Sequence, residues 1–273
     1  MGLDDEEQNG GKVSHPGFLH SIARRPICAM NAPFNPLARG FYTVRDAARL
    51  IEVGSAQRIR GWLNGYPRRK VGPLLVRDYE PIGDAQEMSF LDLMEVRFVE
   101  HFRDIGVKPQ TLRRCIEVAR EKFQEDKPLL KQGVLFIPTD DRRKVVVEEV
   151  LKPVAKEHRD RKLWNLVDKN YEFNEFIEGS LARGLTFDPE TEMASEWRPR
   201  QIEFPEVVID PMVAYGQPVV PQGIPTGVLF DAWRAEGENA GAVADWFNVP
   251  VDQVRMAVGF EKLLKHEEGA LAA

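Results

Sequence analysis

Apolar residues recur at helical spacing in the stretch from Phe41 to Lys70. The first four fall at i, i+3, i+4 and i+7 and predict one helix with a single inward face: Val44, Ala47, Ala48 and Ile51. Thr43 precedes this helix as a candidate N-cap, and Gly54 follows it as a candidate end. The pattern therefore predicts a helix from Val44 to Ile51.

A second helix is predicted after Ser55, which is its candidate N-cap. Its inward side is set by Ile59, Trp62 and Leu63, and the polar residues near its start are expected to face outward: Gln57, Arg58 and Arg60. Asn64, Gly65 and Pro67 break the helix. The apolar run at 73–77 predicts a short strand, which would form the wing of a winged helix-turn-helix.

Two more helices and a β-hairpin are predicted in the middle of the chain. The helices run from Phe90 to Phe102 and from Pro109 to Phe123, and two β-rich runs at 134–137 and 145–147 flank a polar turn. The stretch 150–178 favours helix, whereas 187–200 is typical of an irregular connector.

The last third combines short strand patterns at 205–211 and 214–220 with three predicted helices. These helices cover 227–235, 240–247 and 251–265, and a break at Asn248–Pro250 makes the last two a second helix-turn-helix. The fold class is therefore mainly α: an N-terminal winged helix-turn-helix, a small β-hairpin region and a C-terminal helix-turn-helix-like helical domain. The expected segments are a flexible arm at 1–38, the DNA-binding unit at 39–125, a hairpin and helical connector at 126–200, and the C-terminal domain at 201–268.

Charge separates the two helical units. Residues 39–79 carry nine cations and three anions, whereas the whole chain of 273 residues has a net charge of −6. A compact cationic segment in an acidic chain indicates contact with phosphate. The alternative is an ordinary helical hairpin with solvated arginines.

The candidate DNA contacts of this segment can be divided into groove contacts and phosphate contacts. Groove contacts are expected from the start of the second helix, where a recognition helix meets base edges: Ser55, Gln57, Arg58 and Arg60. Phosphate contacts are expected from the remaining candidates, together with the Thr43 cap: Arg45, Arg68, Arg69 and Lys70.

The C-terminal helices are acidic, with five cations and eleven anions from Arg200 to the end. Such a surface repels phosphate, so a protein contact is the better interpretation. Because two half-sites multiply affinity for DNA, a homodimer is expected. The candidate dimer or partner contacts are apolar residues of these helices: Trp233, Trp246, Phe247, Val254 and Phe260.

No catalytic chemistry is indicated by the remaining residues. The two cysteines, Cys28 and Cys115, and the five scattered histidines have no metal-ligand spacing, and no nucleotide-binding or nucleophile motif occurs. We therefore expect no active site, metal or cofactor. The absence of a signal sequence and of a long apolar run predicts a cytoplasmic protein without a membrane span.

The N-terminal pattern resembles a known DNA-binding family. The residues that carry the likeness match the opening of MerR-type winged helix-turn-helix domains: Tyr42, Thr43, Val44, Ala47, Ala48, Ser55, Arg58 and Ile59. The likeness continues over 90–120 as the family's second helix pair. The chain departs from that family in having no tyrosine-rich wing, no long coiled coil and no cysteine effector site.

The C-terminal pattern resembles a different family. The runs VVIDPMVAYGQPVV, GIPTGVLFDAWRAEG and NAGAVADWFNVPVDQVRMAVGFEKLL are similar to the small bacterial domain of unknown function four-three-three, which is regarded as antitoxin-like. The whole arrangement looks like the longer VapB-type antitoxins. This resemblance implies a type II toxin-antitoxin system, in which the chain binds a PIN-domain ribonuclease toxin and represses its own operon.

Two other functions fit the same pattern. A MerR-like transcriptional regulator would bind DNA and sense a small molecule, and a protein-interaction adaptor would use its basic patch on an acidic protein. Strong dependence of DNA binding on salt would separate the antitoxin from the adaptor.

Overall fold

The computed structural model describes residues 39–53, 55–79, 87–132, 134–138, 145–149 and 184–272. The predicted arm at 1–38, the expected helix end at Gly54, the hairpin tip at 139–144 and the helix-prone stretch at 150–178 lie outside these described residues. All of these described residues belong to one compact unit.

The first two helices confirm the apolar pattern. Helix α1 covers Val44–Leu50, and its N-terminus is closed by a capping box in which Thr43 and Asp46 bond each other's backbone N–H groups. Helix α2 covers Ala56–Asn64 and buries Ile59, Trp62 and Leu63 as predicted. Ser55 occupies the N-cap position, but its side chain makes no capping hydrogen bond.

The expected wing strand at Pro73–Arg77 was wrong. Leu74 and Leu75 are buried instead, and both donate their backbone N–H groups to the Trp62 carbonyl, at 2.7 and 3.1 Å. The backbone of this segment is irregular, and its apolar side chains fill the core beneath α2. The sequence pattern alone cannot distinguish such a segment from a short strand.

Helix α3 covers Phe90–Asp104 and helix α4 covers Pro109–Phe123, so the second helical pair is confirmed. A capping box between Ser89 and Asp92 begins α3. Strands β1 (Val134–Pro138) and β2 (Val145–Glu149) then pair antiparallel, which confirms the predicted hairpin.

A four-stranded antiparallel sheet follows. Its strands are β3 (Leu185–Phe187), β4 (Ala194–Trp197), β5 (Val208–Ile209) and β6 (Pro218–Val219), ordered β3-β4-β5-β6. The irregular connector expected at 187–200 was therefore wrong, because this segment contains the end of β3 and the whole of β4, which pair with each other. They are only three and four residues long, too short to give an alternating pattern.

Three helices complete the described fold: α5 (Thr226–Ala235), α6 (Ala240–Phe247) and α7 (Val251–Ala272). Their starts agree with the prediction to within one residue. The Asn239 side chain caps α6 by accepting from the Ala242 N–H at 3.1 Å.

The N-terminal helices and the C-terminal segment share one hydrophobic core. Ala47 and Ile59 belong to the same buried cluster as Trp197 of β4 and Phe260 of α7. A second cluster lies among α5, α6 and α7, around Leu229, Val243 and Val254. The segments expected at 39–125 and 201–268 are thus joined by packing, and the described residues are about half helical with a small antiparallel sheet.

Candidate nucleic-acid interface

The exposed face of α2 is polar. Gln57, Arg60 and Asn64 are all exposed and lie at i, i+3 and i+7, which places them on one side of the helix. The opposite side carries Ile59, Trp62 and Leu63 and is buried. A helix with this division can present an amide, a guanidinium and a second amide together to a ligand.

Arg58 lies at the edge of this face. Its Nη1 donates to Oε1 of Glu100 on α3 at 2.5 Å, and its side chain is 38% exposed whereas that of Glu100 is 8% exposed. Burial raises the pKa of Glu100, although the Arg58 charge acts in the opposite direction. The predicted base-reading residue is therefore half-buried in an ion pair.

A basic loop follows α2 directly. Tyr66 and Val71 close it through mutual backbone hydrogen bonds of 2.7 and 3.3 Å, and its exposed tip carries Arg68, Arg69 and Lys70. Gly65 precedes the loop at φ +75°, and a Cβ there would overlap the Val71 carbonyl. The chain thus places three cations side by side at the end of α2.

Aromatic packing attaches this basic loop to α2. The Tyr66 ring lies over Gly61, where a Cβ would overlap the ring's hydroxyl end. The Arg69 guanidinium in turn lies 5.8 Å from the centroid of the Tyr66 ring. The tip is therefore held against the helix whose polar face it extends.

The far side of the basic loop is fixed by Arg113 of α4. Its two terminal nitrogens donate to the carbonyls of Gly72 and Pro73, at 2.9 and 2.5 Å. Because one guanidinium bonds both backbone carbonyls, the segment that follows the basic loop is restricted in its motion.

The other sequence-predicted residues are placed differently. Thr43 is exposed, but its hydroxyl bonds Asp46 at 2.7 Å, so it serves the helix cap. Arg45 is exposed on α1, and Ser55 is half-buried. The structure brings Gln57, Arg60 and the loop cations together along α2, whereas Thr43 and Arg45 lie on the preceding helix.

Three residues of this surface were missed by the sequence-based prediction. Asn64 was interpreted only as a helix breaker, although its spacing of seven from Gln57 could have placed it on the outward face. Glu100 and Arg113 carry no local signal, because their partners lie 42 and about 40 residues away in the chain.

A buried ionic cluster lies on the other side of α3. The Lys127 ammonium is 2.5 Å from Asp92, 3.2 Å from Glu95 and 3.6 Å from Asp78, and it also donates to the Val76 carbonyl. Burial alone would lower the pKa of Lys127, but these three carboxylates raise it. The cluster links the segment after the basic loop to α3, and its contacts are those of a stabilising interaction within the fold.

The C-terminal surface differs from the expectation. Trp233 and Phe260 are buried in the chain's own cores, so their expected exposure at a subunit contact was wrong, and Val254 is buried as well. These apolar side chains pack between helices of the same chain, so they are not available for contact with a partner. Phe247 is half-buried, and Trp246 is 73% exposed on α6.

In the described part of the chain, no three His, Cys, Asp or Glu side chains are grouped to hold a metal ion. Among the same residues, no helix is both long and apolar enough to cross a membrane. The polar groups that converge on one surface are those of α2 and the basic loop.

No protein-family model matches the chain, but it is similar to a known protein and to a solved structure. A protein of Mycobacterium tuberculosis (strain ATCC 25618 / H37Rv) named "Putative antitoxin VapB45" is 28% identical over 233 residues, which cover 80% of this chain and 92% of that protein. The crystal structure of Rv2018 from Mycobacterium tuberculosis superposes with a TM-score of 0.51 at 21% identity, covering 82% of this chain and 98% of that one. The first similarity supports an antitoxin-like identity, and the second supports the fold.

Proposed function

We propose that this protein is the DNA-binding antitoxin of a type II toxin-antitoxin system, acting in the cytoplasm as a homodimer. In this role it represses its own operon and neutralises a PIN-domain ribonuclease toxin by direct binding. The proposal combines the likeness to an antitoxin with the cationic surface along α2. The toxin class and the operator rest on the resemblance of the C-terminal sequence.

The observation that carries the DNA-binding half is a set of cations on α2 and the basic loop that have no acidic partner in the described part of the chain. Arg60, Arg68 and Lys70 are exposed and make no ion pair with any described residue. Exposed cations held together by a fixed backbone attract phosphate, and this attraction gives affinity without sequence preference.

Sequence preference would come from the polar face of α2. Inserted in a major groove, an arginine can bond guanine and an amide side chain can bond adenine. Arg60 has the first chemistry, and Gln57 and Asn64 have the second. The basic loop would then lie along the phosphates beside that groove, as the wing of a winged helix-turn-helix does, and Arg45 would contact phosphate from α1.

The DNA half is tested by competition binding. The purified protein is titrated onto the DNA upstream of its own gene, with scrambled DNA as the competitor, and Arg60→Ala is compared with Arg234→Ala. Arg234 is an exposed cation on α5, so it controls for loss of one positive charge. We expect Arg60→Ala to lose about 1 to 3 kcal/mol on the operator selectively, and Arg234→Ala to bind as wild type.

Arg58→Ala is a poor substitution for this test. It would leave the Glu100 carboxylate buried without its cation, and a single unpaired buried charge can unfold a domain. If neither the wild type nor Arg234→Ala prefers the operator, the DNA-binding proposal fails and a protein-interaction adaptor becomes the better account.

The toxin half is tested by co-purification from the native host. A tagged chain should capture a PIN-domain ribonuclease and inhibit its RNA cleavage, and Trp246→Ala should weaken the capture because Trp246 is the most exposed tryptophan described. Capture that is not reduced by excess untagged wild type, or an uninhibited ribonuclease, would contradict this half, and capture unaffected by Trp246→Ala would remove Trp246 from the contact. No enzymatic activity of the chain itself is proposed.

A further inference from the structure

We propose that Glu100 is a positioning residue for DNA recognition, which orients the Arg58 guanidinium so that its remaining N–H groups face the groove. The inference rests on the proposed DNA-binding function. It assigns a role to an acidic residue that does not itself reach the ligand.

The first step is the environment of the carboxylate. Glu100 is 8% exposed, and its Oε1 accepts from Arg58 while its Oε2 is buried without a hydrogen-bond partner among the described residues. A buried carboxylate with one bond is costly, and an apolar residue of similar size would stabilise such a position better. The site is therefore poorly explained by stability alone.

The second step concerns the hydrogen bond and the exposure of the Arg58 side chain. One nitrogen, Nη1, is engaged by Glu100, and the side chain is still 38% exposed. A guanidinium carries five N–H donors in a fixed plane, so fixing one edge also fixes the direction of the others. An arginine held in this way loses less conformational freedom on binding than a freely rotating one.

The third step is the position of Arg58 beside the polar face of α2. At about 100° per residue, Arg58 follows Gln57 around the helix and lies between the exposed face and the buried one. Its free edge therefore borders the surface that carries Gln57, Arg60 and Asn64. A guanidinium at this border can reach a base edge or the phosphate next to it.

Substitution of Glu100 distinguishes the orientation of Arg58 from a simple effect of the Glu100 charge on DNA binding. Glu100→Gln removes a negative charge close to DNA while keeping the side chain's size and one acceptor. Affinity for random DNA should then rise slightly or stay constant, because repulsion is reduced. Preference for the operator over random DNA should fall about fivefold or more, because Arg58 is no longer held in one orientation.

The test measures operator and random-DNA affinities for four proteins: wild type, Glu100→Gln, Arg58→Lys and the double variant. Arg58→Lys keeps the charge and the pair with Glu100 but loses the planar fork. If Glu100 acts through Arg58, Arg58→Lys should cost little further preference in the Glu100→Gln background, whereas the effect of the single variant is larger. By itself, Arg58→Lys should lower operator preference while leaving random-DNA affinity nearly unchanged.

Two results would overturn the inference while leaving the proposed function intact. In the first, Glu100→Gln changes operator and random-DNA affinities by the same factor, which would make Glu100 only a source of repulsion. In the second, it changes the melting temperature alone, which would make the pair only a link between α2 and α3. A wild type without operator preference would overturn the proposed function as well.

Discussion

Gly61 illustrates how one residue connects α2 to the basic loop. It lies inside α2, where alanine would ordinarily be favoured by about 1 kcal/mol, yet its place is covered by the Tyr66 ring. We predict that Gly61→Ala displaces Tyr66 and with it the loop cations, so DNA affinity falls about tenfold. Binding to operator DNA by fluorescence anisotropy measures the effect.

The control for this prediction is the Tyr66→Ala background. With the ring removed, Gly61→Ala should change DNA affinity little further and should recover the stability expected of a better helix former. An equal loss of affinity in both backgrounds would mean that the added methyl group acts elsewhere.

Cys115 is the second residue with a testable state. It is buried on α4, and burial raises the pKa of its thiol to about 12. Since thiolate is the reactive form, we predict that Cys115 resists alkylation at neutral pH until the protein unfolds. Cys28→Ser isolates it, and rapid modification of the folded variant by a thiol reagent would contradict the prediction.

For individual residues, the sequence predicted which side chains of a helix are buried, but it missed contacts between residues that are far apart in the chain. Helical spacing identified the buried Ile59, Trp62 and Leu63 correctly. It did not predict that Arg58 is half-buried in an ion pair while Arg60 is exposed, because the carboxylate that pairs with Arg58 comes from another helix. Pairing over 42 residues depends on how α2 and α3 pack, which local spacing does not determine.

Among the elements, the segment after the basic loop depends on a buried charge cluster. Lys127 is the cation for Asp78, Asp92 and Glu95. We predict that Lys127→Met lowers the free energy of unfolding by about 3 to 5 kcal/mol, because three carboxylates would be left together. Urea denaturation monitored by circular dichroism measures the loss.

Glu95→Gln is the matched variant for this cluster. Burial raises the pKa of Glu95, although Lys127 and Arg120 oppose it, so its contribution to stability is greatest in acid and is lost as pH rises through that raised pKa. The substitution should therefore make stability at neutral pH equal to or better than wild type. A loss as large as that of Lys127→Met would contradict this account of the cluster.

Elements with a repeating apolar pattern were predicted well, and the strands β3 and β4 were not. The helices α1 to α4 each have about two or more turns of apolar spacing, so their bounds agree closely with the sequence. The strands β3 and β4 are short and pair with each other with a shift in register, and the basic loop is closed by one pair, Tyr66 and Val71. Neither kind of pairing leaves a period in the sequence.

In the whole molecule, the core joins segments that were expected to be separate. Phe260 of α7 is fully buried in the cluster that also contains α1 and α2 residues, and the Tyr42 hydroxyl donates to the Gly216 carbonyl at 2.8 Å. Arg49 of α1 also lies 3.6 Å from Glu261 of α7. Such contacts make the N-terminal helices depend on the C-terminal ones.

We therefore predict that Phe260→Ala destabilises the whole described unit by about 3 to 5 kcal/mol, through lost burial and the cavity left behind. Unfolding should remain a single transition by both tryptophan fluorescence and circular dichroism. Trp246→Ala is the control, since an exposed aromatic on α6 should change stability by about 0.5 kcal/mol or less. Two separate transitions would show that the segments fold independently.

The central claim is that the surface of α2 and the basic loop binds DNA through its cations. It is tested most directly by the salt dependence of operator binding for the wild type and for the variant Arg68→Ala/Arg69→Ala/Lys70→Ala. The logarithm of the binding constant should fall steeply with the logarithm of salt concentration, and the variant's slope should be smaller by about 0.9 for each lost phosphate contact. Equal slopes for the two proteins would contradict the account.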